Sequence, residues 1–215
     1  MSENKTRSIL DFYVLMDKLK TTIRTGWKIW QISAPRIESV AEHVFGCQML
    51  ALAIISEYEL ELDLEKVILM LAVHEVGEAA VGDITPWDGM SKNEKIEIES
   101  DAVKKIMCGL KRGDEIEQIY LEFEKGESAE ARFCKQVDKL EACLQVKIYD
   151  EEGYANFDQI KSGALEIRRK EMLEKGNETL SSAWIENDID IGKIFDKELL
   201  EITNYAKDNN IKERE

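Results

Sequence analysis

Two neighbouring stretches, "SVAEHVFGCQMLALAIISEY" (39–58) and "LDLEKVILMLAVHEVGEAAVG" (62–82), are apolar on almost every side when wound at helical period. A helix of that kind needs cover all round, so both belong at the centre of a bundle. The first opens with a capping box, Ser39 followed three residues on by Glu42. The second has Asp63 at its start as N-cap and Gly82 just past its end. Helical spacing of apolar residues recurs in 6–24, 91–110, 114–126 and 128–150, and in two stretches after residue 150, the last of them 196–215. Ser91 and Glu94 form a second capping box. The segment 26–38 reads as a loop because Pro35 excludes helix, and 83–90 as another. Alternating β-branched runs are few, and the chain has only two prolines. The expected fold is all-α, a helical bundle of about seven to eight helices, in one domain over 1–215. Residues 1–150 carry the chemistry-bearing motifs, and 151–215 are C-terminal helices.

The net charge of −15 argues against nucleic acid as a partner, because phosphate neutralisation needs clustered Lys and Arg. An acidic chain can still bind a small anion through a local positive feature, such as a metal or a few arginines. The four cysteines, Cys47, Cys108, Cys134 and Cys143, have neither metal-site nor thioredoxin-like spacing and read as free thiols of a reducing compartment. "MSENKTRSIL" has no apolar signal core, and charges break the apolar runs short of a membrane span. The expectation is a cytoplasmic protein with no membrane partner.

Both histidines of the chain, His43 and His74, fall in the two most apolar helices. Singly, each would read as a hydrogen-bonded core residue. Together with their acidic neighbours they read differently. Glu75 follows His74 directly, and Asp138 interrupts the otherwise apolar pattern of "ARFCKQVDKLEACLQ". Two imidazoles and two carboxylates from three central helices suit a divalent transition metal with open positions. On a helix Glu75 is turned by roughly 100° from His74, so both reach one ion only if it sits at the seam between their directions. Glu78, four residues after His74, shares its face. Asp83 follows Gly82, where the chain leaves the helix, and can point back into the same cleft. Trp27 and Trp30 read as core or rim aromatics, Lys139, Glu141 and Gln145 as a polar face bordering the cleft, and "EIESD" and "DEIE" as solvated helix surface.

The order His, His-acid, Asp resembles the HD-domain metal-dependent phosphohydrolases, and most closely their 5'-deoxynucleotidase branch. "RTGW" before "RIESVAEH", then "HEVGEAAVGDITP", then "SAEARFCKQVDKLEACLQ" are similar to segments of that branch, in that order and at similar spacing, over about the first 150 residues. The resemblance implies that His43, His74, Glu75 and Asp138 hold one divalent transition metal per chain (Co, Mn, Fe, Ni or Zn). It implies that Glu78 orients or activates the hydrolytic water and that Asp83 assists at the reacting phosphate or the leaving oxygen. It gives the phosphate to Arg24, with Arg36 as competitor, and the sugar to Trp27. It further implies a homodimer acting on a small nucleotide, cleaving deoxyribonucleoside 5'-monophosphates to deoxynucleoside and phosphate. The family doublet is His-Asp, whereas this chain has His74-Glu75, one methylene longer. Two alternatives stay open: a nucleotide-binding HD module with little or no turnover, and an HD phosphodiesterase acting on other nucleotides. The count of two histidines speaks against the phosphodiesterase, since two-metal relatives use a second His pair.

Overall fold

The computed structural model describes residues 2–85, 88–159 and 163–212, so Pro86 and Trp87 of the expected 83–90 loop lie outside the described residues. Among the described residues there is no strand. A single antiparallel bridge pairs Ile23 with Ser39, and every other regular element is helical. The all-α expectation holds, with more helical segments than the seven or eight anticipated.

The chain divides into two compact units, one of Met1–Thr25 with Glu38–Cys134 and one of Gly26–Ile37 with Lys135–Glu215. The first unit contains α1 (Ser2–Asp17), α3 (Val40–Glu57), α4 (Leu64–Val73), α5 (Glu78–Val81), α6 (Lys92–Met107) and α7 (Gly113–Lys125). Its helices pack as α3 on α4, α4 on α7, α7 on α6 and α6 on α5. Val73, Val76, Val103, Met107 and Tyr120 form its main core, with Leu19, Val40 and Ala79 as a smaller cluster. Both capping boxes form. Ser39 accepts from the Glu42 amide while the Glu42 carboxylate accepts from Ser39, and Ser91 and Glu94 do the same at α6. Asp63 caps α4 through the Lys66 amide.

Three expectations are corrected in this unit. The helix expected over 62–82 is broken. Between α4 and α5 the amides of Val76, Glu78, Ala79 and Ala80 bond three residues back, a tighter winding than the α-helix that the apolar pattern alone does not reveal. The helix at 39–58 is not covered all round. His43, Cys47, Ala51, Ile54 and Ile55 are buried, but Phe45, Met49 and Leu52 are exposed along one stripe at spacings of four and three. It is also the one helix among the described residues long and apolar enough to cross a membrane. Finally, "EIESD" is not all solvated, because Glu99 is buried.

The second unit contains most of the short helix α2 (Thr25–Ile29), where a loop was expected, and α9 (Gly163–Glu174), α10 (Leu180–Asp190) and α11 (Lys197–Asp208). Pro35 lies beyond the end of α2, in non-helical chain, where its ring fits. α8 (Ala129–Glu151) begins in the first unit and continues into this one. Trp27, Trp30, Ile32, Val146, Tyr149 and Leu180 are among its core residues. Gln136 ties α8 to the start of α11, its carbonyl accepting from the Phe195 and Asp196 amides and its amide donating to Asp196.

Candidate functional site

The first unit gathers six of the residues singled out in the sequence, Arg24, His43, His74, Glu75, Glu78 and Asp83. The capping box spends Glu42 on the start of α3, and His43 follows it one residue on, fully buried in the first turn. His74 sits where α4 tightens. Its Nδ1 lies 2.7 Å from the Leu71 carbonyl, which makes Nδ1 the protonated nitrogen and leaves the lone pair on Nε2. The two imidazole centroids are 5.5 Å apart. Glu75 Oε1 lies 4.0 Å from His43 Nε2 and 3.7 Å from His74 Nε2. One ligand atom from each of these three residues lies within 4.8 Å of the others. Two buried imidazoles and a half-buried carboxylate that converge fit a divalent transition metal; the fixed Nδ1–H of His74 is the partner that orients such a ligand.

Around this trio stand two cations and three further carboxylates. The guanidinium Nη1 of Arg24 is 3.7 Å from Glu75 Oε1. Its backbone is fixed beside the start of α3: the Arg24 amide donates to Glu38 and the Val40 amide to Thr22. Asp83 follows Gly82, whose φ of 79° turns the chain out of α5 in a conformation that suits glycine. One carboxylate oxygen of Asp83 accepts from the Thr25 amide, and its carbonyl accepts from the Thr25 hydroxyl, so Asp83 is tied to the residue after Arg24.

Glu78 is buried at 3% exposure and its Oε2 has no hydrogen-bond partner. Burial, and then the Glu75 and Asp83 carboxylates, push its carboxyl far above the usual range, against the pull of Lys95 and Arg24. In the tight winding, positions three apart eclipse, which turns Glu78 toward Glu75 more than an α-helix would. A proton acceptor shielded from water beside a metal-ligand set is an arrangement suited to taking a proton from an attacking water.

Two residues of this neighbourhood escaped the sequence reading. Lys95 on α6 donates to the Ile84 carbonyl at 2.7 Å and lies 3.4 Å from Glu99 Oε1 and 4.0 Å from Glu78 Oε1. The signal was an i, i+4 Lys–Glu pair on a helix, a pattern that surface helices use everywhere. Gly77 was read only as part of a helical run. A Cβ built there would lie 3.1 Å from the Glu99 carbonyl oxygen and 3.2 Å from its Cβ, so glycine permits this approach of α6. Gly77→Ala is expected to cost about 1–3 kcal/mol in denaturant unfolding, as overpacking against backbone does.

Burial pushes the Glu99 carboxyl up to about 7, with Lys95 opposing and Glu75 adding to the rise. The folded protein therefore binds more protons than the unfolded chain between the usual glutamate value and about 7. The Glu99 contribution is fully present below that window and is lost as pH rises through it. Glu99→Gln is expected to raise the melting temperature relative to the parent by more at about pH 8 than at about pH 5.

Trp27, Arg36 and Asp138 belong to the second unit. Trp27 is 1% exposed and packs edge-on against Tyr149 and beside Trp184. Arg36 is exposed. Asp138 is buried in α8, with the Lys139 ammonium 2.7 Å from its Oδ2.

This buried His–His-acid set on an all-α scaffold belongs to a metal-dependent phosphohydrolase fold, and the chain is a member of the HD domain family, whose sequence profile matches residues 16–181. It is 35% identical to the 5'-deoxynucleotidase HDDC2 of Dictyostelium discoideum over 71% of this chain and 83% of that one. It is 34% identical to the 5'-deoxynucleotidase HDDC2 of Homo sapiens, over 70% and 72%. Among solved structures, the PH0347 protein of Pyrococcus horikoshii OT3 shares the fold, with a TM-score of 0.63 at 24% identity over 93% of this chain and 98% of that one.

Proposed function

We propose that this protein is a metal-dependent phosphomonoesterase that cleaves deoxyribonucleoside 5'-monophosphates to deoxynucleoside and inorganic phosphate. The observation that carries the reading is the convergent His43–His74–Glu75 donor set with Arg24 and Glu78 beside it, in a chain whose relatives are named 5'-deoxynucleotidases. His43, His74, Glu75 and Asp138 would hold one divalent transition metal. Support for Asp138 is its burial in α8 and its place in the segment "SAEARFCKQVDKLEACLQ". When bound, the metal supplies positive charge that polarises the phosphoryl oxygens and acidifies water.

The chain's own groups do the rest. The Arg24 guanidinium, beside Glu75, would bind the phosphate oxygens. Glu78 takes the proton of the attacking water as the new P–O bond forms. The bond from phosphorus to the 5'-oxygen breaks in line, and Asp83, tied to Thr25, would assist at the reacting phosphate or the leaving oxygen. Burial of Glu78 keeps competing solvent from its carboxyl.

A homodimer is part of this reading, supported by the exposed stripe of Phe45, Met49 and Leu52 on α3, an apolar surface suited to a second copy. A cytoplasmic location is supported by Cys47, Cys108, Cys134 and Cys143, which form no disulfide. The test of the activity is phosphate release from deoxyribonucleoside 5'-, ribonucleoside 5'- and deoxyribonucleoside 3'-monophosphates, each with several divalent metals. Release from the deoxy 5'-esters above the other two supports the reading. Binding of those esters without release would instead favour the nucleotide-binding module that the longer Glu75 left open.

A further inference from the structure

Lys95 stands apart from the ligand set, yet it reaches three segments at once. Its ammonium donates to the Ile84 carbonyl at 2.7 Å in the loop after α5, faces Glu78 Oε1 at 4.0 Å on α5, and pairs with Glu99 Oε1 at 3.4 Å on α6. One of its three N–H donors bonds the Ile84 carbonyl, and the two carboxylates within 4.0 Å hold its charge. Lys95 is therefore committed to the protein and not to a phosphate, unlike the forked guanidinium of Arg24, which has five donors.

The acceptors it joins are the ones the hydrolytic step uses. Without Lys95, Glu78 would face Glu75 and Asp83 with Arg24 opposing them. Ile84 follows Asp83, and Asp83 is bonded to Thr25, the neighbour of Arg24. The same ammonium thus fixes the proton acceptor and the loop that anchors the arginine. Gly77 sets the spacing, since the missing Cβ is what lets the Glu99 backbone of α6 approach the start of α5.

We propose that Lys95 is a positioning residue for hydrolysis, holding the Glu78 carboxylate and the Asp83–Ile84 loop in register. The inference rests on the reading of Glu78 as proton acceptor. It is tested on the metal-loaded protein with a deoxyribonucleoside 5'-monophosphate, measuring kcat, KM and metal per chain for K95Q, K95R, E78Q and the K95Q/E78Q pair. K95Q is expected to lower kcat about ten- to a hundredfold while KM stays within about threefold and metal content is unchanged. K95R keeps the charge but places its fork differently, and is expected to fall between K95Q and the parent. If K95Q does not melt cooperatively, the kcat–KM split is read from K95R. On the E78Q background, K95Q is expected to cost less than about threefold, because its effect runs through Glu78.

A K95Q protein with parental kcat overturns the inference, as does a loss confined to KM or the same fold-loss in both backgrounds. An E78Q protein without turnover beside a normal K95Q overturns this inference alone. A parent that releases no phosphate, or an E78Q protein with parental turnover, overturns the functional reading and this inference with it.

Discussion

His74→Ala is expected to leave a folded helical protein that holds no metal and turns over at least about a thousandfold more slowly, since a Lewis-acid contribution of several kcal/mol is lost with the ion. The expectation follows from the position of Nε2, 3.7 Å from Glu75 Oε1, with Nδ1 fixed on the Leu71 carbonyl. The direct cost to folding is modest, about 1 kcal/mol for the hydrogen bond to Leu71. Elemental analysis and circular dichroism on the same sample separate the two effects. Stoichiometric metal in the alanine variant would remove His74 from the ligand set.

Glu78→Gln should behave differently. It keeps shape and removes the proton acceptor, so it is expected to retain metal while kcat falls by roughly two to four orders of magnitude. Its stability should not fall at neutral pH. Burial and the neighbouring Glu75 and Asp83 carboxylates disfavour the charge on Glu78, and glutamine, of the same shape and uncharged, is spared that cost. Thermal melts beside the kinetic assay check both halves, and near-parental phosphate release would exclude Glu78 from the chemistry.

The helix starts were legible because they are written locally. Ser39 with Glu42, Ser91 with Glu94, and Asp63 each satisfy an amide three residues away, and no distant residue is needed to form them. The ligand types were legible for a related reason: an imidazole or carboxylate on an otherwise apolar helix stands out against its neighbours. What was hidden depends on tertiary packing. The sequence "HEVGE" continues a helical pattern, and only the approach of Glu99 to Gly77 and the bond from His74 to Leu71 accompany its tightening. Lys95 and Glu99 looked like an ordinary exposed pair until α6 was laid on α5. The apolar stripe of α3 misled in the opposite direction, because hydrophobicity all round signals cover without saying whether this chain provides it. Trp27 sits among core aromatics, a placement composition cannot distinguish from a place beside a sugar.

The central claim is that a divalent metal held by the His43–His74–Glu75 set is required for phosphate release from a deoxyribonucleoside 5'-monophosphate. The most direct measurement is a titration of metal-stripped protein with a divalent transition metal, following phosphate release at each addition. The account predicts negligible release from the stripped protein, a rise that saturates near one equivalent per chain, and loss of the response in His74→Ala. Release by the stripped protein at the rate of the loaded one would contradict it.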